Sequence, residues 1–203
     1  MTPATLILLA ILVVLVAILV ILVAARRQAR RAATATPSPP ADPFRDTESD
    51  ALRGDPRTLK PGDIVEVHGV SYAVRGSLHF AEGSWSWAEH LLDDAAGGKR
   101  WLSVEEDPDL ILALWTEVRG ATVQPGPETI EFDGRRYVSG ESGSARFTGV
   151  GTTGLDPAGT VAYHDYKAPD GALLSFERYG DASGWEVGRG EPLNRFELQV
   201  YPC

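Results

Sequence analysis

From Leu59 onward, apolar and polar residues alternate in short bursts separated by Gly, Pro and Asp, the pattern of strands joined by tight turns. Val65 and Val67 fall on one face of 63–68, and Val70, Tyr72 and Val74 on one face of 70–75, with Gly69 between them as the turn. Further strands are predicted over 78–80, 85–91, 100–105, 129–132, 136–139, 160–166, 173–179 and 196–201. Segment 110–118 follows Asp109, a residue able to cap a helix, and reads either as a strand or as one or two helical turns. The start of the chain is patterned differently. Leu6 to Ala25 are twenty consecutive apolar residues, about 30 Å of helix at about 1.5 Å per residue, which matches the hydrocarbon thickness of a bilayer. A cleaved signal peptide carries a basic leader and a shorter apolar run, so residues 1–25 are expected to be a retained transmembrane anchor.

Charge orients that anchor. Arg26, Arg27, Arg30 and Arg31 follow it directly, while only Met1 to Thr5 precede it. Basic residues stay on the cytoplasmic side, so the expectation is a single-pass protein of the cell membrane, with its N-terminus outside and its C-terminal domain cytoplasmic. The bilayer is its first expected partner, and the arginine flank its contact with headgroups. After this flank, the rest of 26–58 is rich in Pro, Ala and Thr and poor in large apolar residues, the composition of a disordered linker. Such a tether reaches about 30 Å, from about 5–6 Å times the square root of its length. The net charge of the chain is −9, and the domain beyond the linker is strongly acidic, which argues against nucleic acid as a partner. All 17 aromatic residues lie beyond position 43, enough to build one core in 59–203. The single cysteine, Cys203, cannot form an internal disulfide.

The two halves of the domain, 59–123 and 124–203, resemble each other. Gly69-Val70-Ser71-Tyr72 is echoed by Gly134-Arg135-Arg136-Tyr137, Leu102-Ser103-Val104-Glu105 by Leu174-Ser175-Phe176-Glu177, and Trp115-Thr116-Glu117-Val118 in part by Trp185-Glu186-Val187. The order of the matches suggests an internal repeat of two antiparallel meanders, in a mainly β fold closing as a sandwich or small barrel. The runs Leu59-Lys60-Pro61-Gly62-Asp63, Gly69 to Gly76, Trp87-Ala88-Glu89-His90-Leu91-Leu92 and Trp101-Leu102-Ser103-Val104-Glu105-Glu106 resemble the bacterial family known as domain of unknown function 4178. That resemblance implies a β-rich domain, often in membrane-associated proteins, and no assigned catalytic residues.

Candidate chemistry centres on carboxylates among tryptophans. A period of two puts Trp85, Trp87 and Glu89 on one face of a strand, and Trp101, Ser103 and Glu105 on one face of another. Ser175 and Glu177 repeat the Ser-x-Glu spacing, so a cleft with Glu105 opposite Glu177 is one arrangement. Carboxyls in that setting suit a general acid or a grip on a cation. The plainer alternative is that the tryptophans form the core and each Glu pairs with Arg100, Arg146 or Arg178. His68, His79, His90 and His164 lie on separate segments without metal-motif spacing, and no metal or cofactor is expected. His164-Asp165 are adjacent in a strand and so point to opposite faces. Gly149 to Gly154 spell the dinucleotide string G-x-G-x-x-G, but Asp156-Pro157-Ala158-Gly159 cannot continue as a helix, and the string reads as a loop. With no self-consistent catalytic set, the expected role is a binding or interaction module for another membrane-associated protein or a small ligand. The alternative is a hydrolase or cationic-ligand site using Glu89, Glu105 and Glu177.

Overall fold

The computed structural model of the protein describes residues 53–203 apart from Ala95 and Ser183. The expected transmembrane anchor, its arginine flank and the linker up to residue 52 lie outside the described residues, among which no helix is long and apolar enough to cross a membrane. Residues 53–58, assigned to the linker by composition, are folded. Asp55 caps a 3-10 turn over Pro56–Thr58, Pro56 is buried, and Arg57 reaches Glu106 at 3.3 Å.

The domain is one antiparallel sheet of eleven strands. In chain order these are β1 (Ile64–Val67), β2 (Val70–Glu82), β3 (Trp85–Asp93), β4 (Lys99–Glu106), β5 (Leu110–Glu117), β6 (Thr129–Phe132), β7 (Arg135–Gly151), β8 (Ala158–Lys167), β9 (Leu173–Tyr179), β10 (Glu186–Leu193) and β11 (Leu198–Tyr201). The order is β11-β1-β2-β3-β4-β5-β10-β9-β8-β7-β6, and an added pairing of β2 with β7 closes the eight strands β2 to β5 and β7 to β10 into a ring. The open alternative at 110–118 resolves as strand β5. β10 was not predicted, because Gly188, Gly190 and Pro192 break its alternation. The strand expected over 196–201 starts at Leu198, after a 3-10 turn in which Asn194 and Glu197 cap each other. Gly149 to Gly151 are not loop but the end of β7, paired to β2 through Gly76 to Leu78.

β1 to β5 and β6 to β10 follow the same succession of hairpins, and the two sets meet through β2–β7 and β5–β10. Each set opens with a two-residue turn, His68-Gly69 and Asp133-Gly134, in which both residues have positive φ (52° and 76°, 50° and 73°). That backbone matches the twist of a hairpin. The Trp115/Trp185 correspondence is out of register, however. Val187 pairs with Phe176 as Leu112 pairs with Val104, so the position equivalent to Trp115 is Gly190.

Bulges divide the apolar residues among three cores. Before the register shift at Arg75, Val74 pairs with Leu92; after it, Leu78 pairs with Glu89 and Phe80 with Trp87. β2 therefore sends Tyr72 and Val74 into a core outside the ring, under β1 and β11, and Leu78 and Phe80 into the ring wall. β7 repeats the device between Ser139 and Ser142, with Tyr137 in the second outer core and Ala145 and Phe147 beside Phe80. Each large side chain buried this way stabilises the fold by about 1.5–3 kcal/mol. The outward residues of β3, β4, β5, β8 and β9 that enter the outer cores are Leu92, Leu102, Val104, Leu112, Leu114, Tyr166, Leu174 and Phe176. The inward positions of these strands are free to be polar.

Cys203 is exposed but does not fray. Its backbone N–H donates to buried Asp63 at 3.0 Å, as does that of Lys60. Burial opposes the ionisation of Asp63, yet these donors outweigh it and hold the carboxyl below its ordinary value.

Candidate functional site

The inward positions line a cleft of about 690 Å³ inside the ring. β3 contributes Trp85, Trp87 and Glu89, and β4 contributes Trp101, Ser103 and Glu105. From the opposite wall, β9 contributes Ser175 and Glu177. These eight residues are the ones the sequence singles out, and the structure brings them into one cavity. It also adds residues that sequence reasoning missed: Trp115, Glu141, Tyr163, Asp165, Tyr179 and, at the rim, Glu117 and Glu186. Two of these were within reach. Glu89 pairs with Ser103 as Asp165 pairs with Ser175, and Trp87 with Glu105 as Tyr163 with Glu177. Carrying the Leu-Ser-x-Glu repeat back by one strand finds Tyr163 and Asp165.

The aromatic residues are fixed by contacts around the cleft. Trp87 stacks on Phe80 at 4.9 Å with nearly parallel rings and meets the edge of Tyr163 at 5.6 Å. Its indole N–H points to Glu89 at 3.4 Å. Trp115 donates to Ser103 Oγ at 2.9 Å and lies over Gly188 and Gly190, where a side chain on Gly190 would meet the ring at 2.5 Å. Tyr179 donates to Glu177 at 2.9 Å, and Tyr163 to Glu82.

Burial and mutual repulsion hold the carboxyls against ionisation. Glu89 lies well above its ordinary value through desolvation first and then the charge of Glu177, with Trp87 opposing and Asp165 adding. Glu177 is pushed up to about 7, by burial and then Asp165 and Glu186 against the bond from Tyr179. Asp165 is pushed up to about 6, by burial and then Glu141 against its bond from Ser175. Glu105 is raised by burial and next by Glu141. The charge that most raises Glu89 is therefore that of Glu177, and the charge that most raises Glu105 is that of Glu141. The tyrosine hydroxyls of Tyr163 and Tyr179 are raised as well, first by burial, and remain donors.

Two of the three arginines considered as partners for these acids are engaged elsewhere. Arg178 lies over the Trp185 ring at 4.7 Å, and Arg100 bonds the Lys99 carbonyl. Among the described residues, no ion pair joins a basic group to Glu89, Glu105, Asp165 or Glu177. Nor do three of His, Cys, Asp and Glu converge closely enough to hold a metal ion, again among the described residues. His90 is buried and bonded to Ser77 at 2.8 Å, and His164 bonds Ser139 on the face of β8 away from the cleft.

Uncharacterised proteins of Mycobacterium tuberculosis and Mycobacterium bovis are 42% identical to the chain over 156 residues, covering 73% of it and 74% of theirs. No solved structure matches. The family described as domain of unknown function (DUF4178) matches residues 60–195, which span β1 to β10 and every cleft residue described above, and the chain belongs to that family.

Proposed function

We propose that the domain is a binding module whose ring interior takes an organic cation. The observation that carries this reading is a cleft in which Glu89, Glu105, Asp165 and Glu177, which no ion pair joins to a basic group among the described residues, lie with Trp85, Trp87, Trp101 and Trp115, while the cations of the lining, Lys99 and Arg119, pair at most with Glu117. Left empty, such a cleft sets like charges against one another in a partly desolvated space, and an ammonium group relieves that repulsion while packing against indole. On this proposal the apolar run 6–25 holds the module at the cell membrane with the cleft on the cytoplasmic side, as the arginine flank indicates. A reporter active only outside the cytoplasm, fused to the C-terminus, should then be silent, and activity would overturn that orientation.

The test of binding is calorimetry on the purified full chain, with alkylamines and their neutral alcohol counterparts at pH 8. Amines should bind and quench tryptophan fluorescence, and Glu89→Gln with Glu177→Gln should abolish both signals. Equal binding of the alcohols would refute the reading. A hydrolase is the second reading, favoured by one observation: Glu177 keeps its proton to about pH 7 beside Glu89, as a general acid must. Turnover of chromogenic glycosides or esters that Glu177→Gln abolishes would establish it.

A further inference from the structure

The acids of the cleft form a row. Strand register sets Glu141, in the β7 bulge, opposite β8 at Asp165; Asp165 is the diagonal neighbour of Glu177 on β9, Glu177 pairs directly with Glu186 on β10, and Glu186 is the diagonal neighbour of Glu117 on β5. The row starts at exposed Glu141, passes half-buried Asp165 and Glu177 and ends at exposed Glu186 and Glu117, and half-buried Glu89 and Glu105 line the same cleft from β3 and β4. Arg119 pairs with Glu117 at 3.1 Å and closes that end.

The shape of this row selects its ligand. A compact divalent ion needs several oxygens at about 2–2.6 Å, and no three carboxylates among the described residues come together that way. A single ammonium group neutralises one or two of the acids and leaves the rest facing each other. A flexible chain carrying several ammonium groups can set one beside each part of the row, and its methylenes can lie on Trp87, Trp101 and Trp115. A cleft of about 690 Å³ lies within the range of small-molecule sites.

Resting on the organic-cation reading above, we propose that the cleft binds a linear polyamine of the spermidine class, its ammonium groups distributed along the row at Asp165 and Glu177 and beside Glu89 and Glu105 in the same cleft. The ligand threads the ring; it does not sit at one point.

The experiment titrates the full chain with spermidine, 1,4-diaminobutane, butylamine and Mg²⁺ by calorimetry at pH 7.5 and fixed ionic strength. Spermidine should bind at least 100-fold more tightly than butylamine, with the diamine between them, and Mg²⁺ should compete no better than its ionic strength predicts. Repetition in buffers of different ionisation enthalpy should show protons released on binding. Glu177→Gln should weaken spermidine at least tenfold and butylamine much less, while Glu131→Gln, exposed on β6 and paired with Arg136, should change neither. Circular dichroism of each variant checks that the sheet is retained. Butylamine binding within threefold of spermidine would overturn the polyamine proposal and leave the organic-cation reading standing. Absence of binding by every amine would overturn both.

Discussion

Glu177→Gln should make the empty domain more stable at pH 8 and leave it unchanged at pH 4. The substitution keeps the shape of the side chain and an oxygen to accept the Tyr179 hydroxyl, and removes only the capacity to ionise. In the unfolded chain this carboxyl titrates near 4.5, whereas in the ring it titrates at about 7. The folded state thus holds a proton that the unfolded state has lost, so stability falls as pH rises from about 4.5 to about 7, and the whole penalty is present above that. The interval corresponds to about 3 kcal/mol at 1.36 kcal/mol for each pH unit. Part of the shift comes from Asp165 and Glu186, which stay in the variant and relax once Glu177 is neutral. A net gain of about 2 kcal/mol is expected, a rise in Tm of roughly 4–8 °C for a domain of this size. Urea denaturation of wild type and variant from pH 4 to pH 8 measures it, and the difference should open progressively across that range. Equal or lower stability of the variant at pH 8 would refute the claim that burial, with Asp165 and Glu186, opposes the ionisation of this acid.

Three further substitutions probe the frame around the cleft. Ser77→Ala removes the partner of buried His90, whose imidazole is held neutral, at about 4, by burial first and then His79; the unsatisfied nitrogen should cost about 1–2 kcal/mol in urea denaturation at neutral pH. Gly76→Ala puts a methyl group 2.5 Å from the Thr152 carbonyl at the β2 bulge, where backbone cannot yield cheaply, and should destabilise by about 3 kcal/mol in the same assay. Gly190→Ala drives Trp115 off its seat and breaks its bond to Ser103, which should alter the near-ultraviolet circular dichroism and lower spermidine affinity about tenfold.

Much of this sheet is legible in the chain because its alternation is clean. Val65 and Val67 and Thr129 to Phe132 place their strands within a residue or two, since the turn after each carries a glycine at positive φ, and Val70 places the start of β2, which runs on past the predicted end at 75 to Glu82 and takes in the strand expected over 78–80. β10 is illegible for the opposite reason. On its inward face Gly188 and Gly190 leave the space in which Trp115 lies, and without side chains at those two positions the alternation is lost. The bulges are equally silent. Nothing at Arg75 or at Gly140-Glu141 announces a register shift, although those shifts decide which residues face the outer cores and which face the ring.

The cleft is partly legible for a reason tied to that division of labour. In a strand covered on its outer face by a flap, the inward face can depart from apolar chemistry only where solvent or a ligand reaches it. Glu89, Glu105 and Glu177 alternate with buried Val104, Phe176 and their neighbours, so period-two reading locates the polar face without knowing the closure. Closure is what it cannot supply: a repeat with Glu105 matched to Glu177 suggests that those two meet, yet in the closed ring the charge of Glu177 acts on Glu89 and that of Glu141 on Glu105. His164 and Asp165 are adjacent in a strand and so face opposite ways. The same geometry that makes them useless as a pair sends Asp165 inward, into the middle of the acid row, while His164 packs outward against Tyr166 at 4.5 Å.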